Sequence, residues 1–164
     1  MLTLDSGRHV APPVRTPANE RNAEISPDGR WLAYQSDEPG QIEIYVRPFP
    51  AVESGRWQIS TSGGTRPLWS RDGRELFYLS TTDSSLMHVV VERSATWMAS
   101  APARVLDRPV PFTSTYSGRT YDVSADGQRF LISDNVMPNS SAGPASLVVV
   151  QHWFEELKRL VPTN

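Results

Sequence analysis

The sequence predicts an all-β fold built from repeated four-stranded antiparallel units, and three observations support this prediction. A Ser-x-Asp-Gly signal stands between two apolar runs at residues 26–29, and it recurs at 70–73 and 124–127. Asp-Gly between apolar runs is typical of a hairpin, because glycine accepts the positive φ of tight turns. The copies start 44 and 54 residues apart, a period typical of propeller blades. We therefore expect a partial β-propeller of about three four-stranded blades with a short C-terminal helix.

The first segment, residues 1–20, is expected to be an N-terminal strap or edge strand. Pro12, Pro13 and Pro17 exclude a central strand there, because proline cannot donate to a strand ladder. The first blade is expected at residues 21–60. Apolar and polar side chains alternate through residues 42–47, as they do in a half-buried strand. The four strands of this blade are expected at residues 22–26, 30–36, 41–47 and 56–60.

The second blade is expected at residues 61–107 and the third at 108–152. Residues 86–91 form a nearly continuous apolar run, as in a strand buried on both faces. The strands are expected at 65–70, 74–80, 86–92 and 104–107 in the second blade, and at 120–124, 128–133 and 146–151 in the third. The short helix is expected at residues 153–161, where apolar residues recur at helical spacing before Pro162. All of these elements are assigned to one partial propeller domain, residues 1–164.

Composition excludes several classes of partner. The chain has 164 residues, 38% of them hydrophobic, and a mean hydropathy of −0.40, which suits a globular domain rather than disorder. A net charge of −2 predicts no general attraction to nucleic acid or to anionic membranes. No run approaches the ~20 apolar residues of a membrane span, so no membrane insertion of this segment is expected. The absence of cysteine excludes a disulfide framework and thiolate metal sites.

The aspartates of the repeated turns have two explanations. They are Asp28 before Gly29, Asp72 before Gly73 and Asp126 before Gly127. They can form a ring of carboxylates for a cation, or each can bond the backbone amides of its own hairpin; the glycines favour the second explanation. His9, His88 and His152 share no metal-ligand or triad spacing, and no nucleophile elbow or phosphate loop is present. We expect no catalytic residue, no metal and no cofactor, and therefore no enzyme.

The loops predict where a partner would bind. One end of a propeller collects the loops that enter each first strand and those that join the second and third strands. These loops are residues 36–41, 61–66, 81–85, 108–119 and 135–144. Within or beside them, the candidate contacts for a protein or small ligand are Arg66, Tyr116, Arg119 and Asn139. Trp97 lies in a connecting segment and is a fifth candidate, either as an exposed anchor or as a core side chain.

The repeats resemble the TolB-type Pro-Asp repeat of bacterial β-propellers, which is a WD40-like repeat. Ser-Pro-Asp-Gly-Arg at residues 26–30 matches that motif fully, whereas the copies at 70–74 and 124–128 lack the proline. Four further segments resemble the C-terminal propeller of bacterial eukaryotic-like serine/threonine protein kinases. They are Ile-Tyr-Val-Arg-Pro-Phe-Pro at 44–50, Trp-Gln-Ile-Ser at 57–60, Arg-Glu-Leu-Phe-Tyr at 74–78 and Trp-Phe-Glu-Glu-Leu at 153–157.

This resemblance implies a non-catalytic sensor or interaction domain, placed after a kinase domain and a membrane span. The chain contains no kinase signature, so any kinase activity would belong to a missing N-terminal domain. The localisation implied for such a receptor is extracytoplasmic or periplasmic. The alternative is the propeller portion of a larger enzyme, such as a prolyl-oligopeptidase-like hydrolase.

Blade number raises the question of assembly, because closed propellers have about 4–8 blades. Three blades can be a fragment of a longer array, one half of a homodimer, or a half-propeller capped by the strap and the helix. We expect a fragment whose missing blades lie elsewhere in the parent chain.

Overall fold

The computed structural model describes residues 12–92, 94–106, 108–110 and 118–133. All of them belong to the compact unit Met1–Asp134. In this part of the chain, ten strands form three antiparallel sheets, accompanied by a single 3-10 turn. The all-β prediction is confirmed for these residues. The helix expected at 153–161 and the strand expected at 146–151 lie outside the described residues.

The first sheet contains four strands in chain order, each antiparallel to the next. They are β1 (Glu20–Ile25), β2 (Trp31–Ser36), β3 (Glu43–Pro48) and β4 (Trp57–Gln58). The 3-10 turn Val52–Ser54 lies between the last two strands. Every strand therefore pairs with its neighbour in sequence, which is the arrangement of a meander.

The second sheet repeats this order, and the third is described as a hairpin. The second consists of β5 (Thr65–Trp69), β6 (Glu75–Leu79), β7 (Leu86–Val90) and β8 (Ala103–Arg104). The third contains β9 (Tyr121–Val123) and β10 (Phe130–Ile132). The outer strands β4 and β8 have two residues each and are shorter than the sequence pattern suggested.

The first two sheets pack face to face through apolar side chains. One cluster combines Trp31, Ala33, Ile44, Val46 and Ile59 of the first sheet and its exit with Trp69, Leu76, Tyr78, Val89, Val91 and Trp97 from the second sheet and its flanks. Successive strand residues point to opposite faces, so Leu32, Tyr34 and Tyr45 lie on the other side of the first sheet. Val14 and Phe49 pack against them there.

The second sheet uses its other face to contact the third. Leu68, Phe77, Leu79 and Leu86 form a cluster with Tyr121 and Val110, and the partly buried Phe130 and Ile132 pack against it. Phe77 and Phe130 meet edge to face with ring centroids 5.2 Å apart. The three sheets therefore stack in chain order, each burying a face against the next.

The first strand of each four-stranded sheet carries a bulge at the same place. The register shifts between Arg21 and Glu24 in β1, and between Thr65 and Leu68 in β5. Asn22 and Arg66 occupy these bulges with φ of 50° and 56°. Each lies four residues before the serine of its turn motif. The repeat seen in the sequence thus extends to an irregularity of the backbone that re-aims side chains.

Candidate functional site

The repeated turns use their aspartates in one common way. The Ser26 hydroxyl donates to Asp28 Oδ1 at 2.6 Å, and the amide of Arg30 donates to the same oxygen at 3.1 Å. Equivalent bonds join Ser70 and Arg74 to Asp72, and Ser124 and Gln128 to Asp126. Gly29, Gly73 and Gly127 have φ of 72°, 70° and 70°. The three carboxylates therefore each bond within their own turn.

Electrostatics at the turns follow from these bonds. The hydrogen bonds from Ser124 and from the amide of Gln128 lower the pKa of Asp126. Burial opposes ionisation of Asp28, but the bonds from Ser26 and Arg30 outweigh it and lower its pKa. Among the described residues, no group of three or more histidines, cysteines or carboxylates is arranged to hold a metal ion.

Arg66 and Arg119, two of the predicted contact residues, lie near the first strands of the sheets. Arg66 is fully buried, its Nε donates to the Gly118 carbonyl at 2.8 Å, and burial lowers its pKa. The Tyr121 hydroxyl donates to the Arg66 carbonyl at 2.7 Å. Arg119 forms an ion pair with Glu24. Arg66 thus connects the second sheet to the approach to the third, and Arg119 connects that approach to the first sheet. The Arg66 side chain supports the fold rather than meeting solvent.

Gln35 organises the same region, although the sequence analysis did not single it out. Its Oε1 accepts hydrogen bonds from the Thr65 hydroxyl at 2.7 Å, the Arg66 amide at 3.1 Å and the Asn22 side chain at 2.8 Å. Gln35 is 1% exposed, so these bonds are shielded from water. The available signal was an amide side chain directly after the apolar run that begins β2.

Trp97, which the sequence left open as an exposed anchor or a core side chain, is 9% exposed. Its ring centroid lies 5.3 Å from that of Trp31, 6.1 Å from that of Trp69 and 6.3 Å from that of Trp57. Four of the five tryptophans therefore meet between the first two sheets, and the structure places Trp97 in the core rather than on the surface. The remaining candidates, Tyr116 and Asn139, lie outside the described residues.

A cleft of about 310 Å³, lined by both polar and apolar side chains, opens between two loops of neighbouring sheets. Residues 60–63 and the residues Ser80, Thr82 and Asp83 form its walls, Tyr78 and Met87 line it from the second sheet, and Pro102 and Arg104 complete it. We call this the loop-face cleft. Its walls coincide with two of the loops, 61–66 and 81–85, that the sequence assigned to the binding end.

The two walls of the loop-face cleft are joined directly. The Thr82 hydroxyl donates to the Ser62 carbonyl at 2.6 Å. Gly63 has a φ of 90°, and a β-carbon built on it would lie 1.9 Å from Thr81 Oγ1. Glycine is therefore required by the backbone conformation and by the close approach of the loops.

The buried carboxylate of Glu43 supports the wall of the cleft that residues 60–63 form. Glu43 is fully buried and accepts hydrogen bonds from the Ser60 hydroxyl, the Gly63 amide and the Gln41 side-chain amide. Ser60 Oγ also accepts from the Ile44 amide at 2.8 Å. These bonds provide the compensation that a buried charge needs, and they fix the loop that enters the second sheet.

Tyr78 and the pair Asp83–Arg104 give the cleft its chemistry. Tyr78 is 3% exposed, and burial, reinforced by the charge of Glu43, raises the pKa of its phenol to about 12. Within the part of the chain that the structure describes, its hydroxyl has no hydrogen-bond partner. Asp83 Oδ2 lies 2.7 Å from Arg104 Nη2, and hydrogen bonds from Ser85 and Ser80 lower the pKa of Asp83 to about 2. The cleft thus presents a neutral phenol beside a paired acid and base.

No protein-family model matches the chain, and no curated protein matches its sequence. In the described ranges, no helix has the length and apolar character needed to cross a membrane.

Proposed function

We propose that the chain is part of a β-propeller and acts as a non-catalytic interaction or sensor module. Two features support the propeller: four-stranded meanders stack face to face in chain order, and their turns and bulges repeat at equivalent positions. In such an array, successive loops gather at one end. A partner or ligand would meet the protein at this end.

The loop-face cleft is the observation that carries the binding role. It lies between loops of two adjacent sheets, and their close approach at Gly63 and the bond from Thr82 hold it in shape. Preformed concave sites with a few convergent polar groups are the usual form of ligand pockets. Binding is favoured over catalysis because Ser60, the most buried hydroxyl of the cleft, is 2% exposed and its oxygen already accepts a hydrogen bond from the Ile44 amide. Such a hydroxyl is held as a structural group rather than activated as a nucleophile.

The proposed context is the extracytoplasmic end of a bacterial receptor-type serine/threonine kinase, as the sequence resemblance implies. The test is the coding sequence on either side of this chain. A kinase domain and a membrane span upstream are the expected result. An upstream frame without them would overturn the kinase context, and a hydrolase domain downstream would replace it with the peptidase alternative.

The array itself is tested by the solution mass of the chain across a range of concentrations. Leu131 on β10 is 75% exposed, and open sheet faces and edges favour association. If the array continues in the parent protein, the isolated chain should self-associate without a defined end point, and the longer protein should be a discrete species. A compact monomer of the isolated chain would contradict the need for further blades.

A further inference from the structure

We propose that the loop-face cleft binds a neutral, hydroxyl-bearing ligand of monosaccharide size. The inference rests on the proposed function, because it names the ligand class of that same site. Three properties of the cleft lead to it: a phenol that is accessible from the cleft, balanced charge, and a mixture of hydroxyl-bearing and apolar lining residues.

The phenol of Tyr78 indicates what the ligand must offer. Tyr78 is 3% exposed and lines the cleft, and its hydroxyl is not one of the enclosed polar atoms that lack a partner. The hydroxyl is therefore accessible from the cleft, where a ligand can replace the water that it bonds. With its pKa raised to about 12, this phenol keeps its proton at neutral pH and can donate. A ligand oxygen that accepts a hydrogen bond, such as a sugar hydroxyl or ring oxygen, meets this requirement.

The charges around the cleft favour a neutral ligand. Arg104 is paired with Asp83, so the guanidinium is not presented alone to an anion. Glu43 lies behind Ser60 and is saturated by the donors described above, so a cation cannot reach it without displacing them. An anion would instead approach this buried negative charge, which is unfavourable at low dielectric. A charged ligand therefore gains little electrostatic binding free energy in the cleft.

The volume of the cleft and the chemistry of its lining narrow the class of ligand further. A volume of about 310 Å³ is at the small end of ligand pockets, which suits a single sugar ring rather than a long chain. Hydroxyls of Thr61 and Ser62 line one wall, while Met87 and Pro102 supply apolar surface. A monosaccharide carries hydroxyls at its edge and C–H groups on its faces, so it can use both kinds of wall.

The experiment is equilibrium dialysis of the full chain against tritium-labelled methyl glucoside, methyl galactoside, methyl mannoside and N-acetylglucosamine, up to tens of millimolar. We expect saturable binding of at least one of them in the millimolar range. Tyr78→Phe removes only the hydroxyl and should weaken that binding roughly tenfold, since about 1.4 kcal/mol is a factor of ten and one hydrogen bond is of that order. Tyr45→Phe is the matched control: Tyr45 is also buried, but on the other face of the first sheet, and binding should not change.

The outcomes separate the ligand class from the proposed function. Absence of saturation with every glycoside, in protein whose circular dichroism is that of a folded β-sheet, would overturn the inference. So would binding that Tyr78→Phe leaves unchanged. Saturation by inorganic phosphate or by a diamine, and not by the sugars, would overturn the neutral class while leaving a binding role for the cleft. A coding context without a receptor would remove the kinase proposal and leave sugar binding intact.

Discussion

Trp97 lies against Trp31 with ring centroids 5.3 Å apart and ring planes at 75°. The two side chains come from different sheets of the stack, since Trp31 begins β2 and Trp97 follows β7. Arg30 strengthens the same junction: its guanidinium lies 5.5 Å from the Trp31 ring centroid and donates to the Ser94 carbonyl at 2.7 Å. Residues 94–98 therefore act as a clamp that holds the first sheet to the second.

Replacing Trp97 with alanine should destabilise the protein by about 3–5 kcal/mol, because the indole leaves a cavity among three other tryptophans. Urea unfolding measures this change. Met98→Ala is the control in the same segment; Met98 is 48% exposed, so its truncation should stay within about 0.5 kcal/mol. Equal effects of the two substitutions would contradict the clamp.

Gln35→Ala should destabilise the protein by roughly 2–4 kcal/mol, because several buried donors lose their common acceptor. The affected groups are the Thr65 hydroxyl, the Arg66 amide and the Asn22 side chain. The matched control is Gln58→Ala on β4, where an exposed glutamine donates to the Ser60 carbonyl at 2.8 Å. A small effect at Gln35, measured by the same urea unfolding, would show that the cluster does not join the sheets.

These two residues also show what the sequence can and cannot predict. The Ser-x-Asp-Gly turns were predictable because all of their hydrogen bonds lie within six consecutive residues. Gln35 bonds to Thr65 and Arg66, which lie 30 and 31 positions further along the chain. No local sequence pattern encodes which strand will face Gln35. Trp97 was assigned to a connecting segment, and its burial depends on tryptophans contributed by two sheets. The loops of the cleft were predictable from strand order, whereas the unpartnered phenol of Tyr78 depends on packing between sheets.

Two glycines with similar backbone angles should respond differently to alanine. Gly29 has a φ of 72° and open space around its α-carbon, so Gly29→Ala introduces only backbone strain, about 1 kcal/mol. At Gly63, the β-carbon would also collide with Thr81 Oγ1, so the Thr81 side chain would have to move. Gly63→Ala should therefore cost clearly more than Gly29→Ala in thermal unfolding and should weaken glycoside binding, whereas Gly29→Ala should not. The reverse order would show that the loops are not held by this contact.

Alkaline pH should reveal the buried phenol of Tyr78. Burial raises its pKa from 10.0 to about 12 in the folded protein. Between these values the folded state retains a proton that the unfolded state has lost, so this contribution to stability is complete below pH 10 and disappears as pH rises towards 12. Tyr78→Phe lacks the titrating group, and its free energy of unfolding should fall less steeply across this range than that of the unsubstituted chain. Burial also raises the pKa of Tyr121, and that contribution is common to both proteins and cancels in the comparison. Urea unfolding at a series of pH values measures the difference, and parallel curves would mean that the Tyr78 phenol is solvated in the folded state.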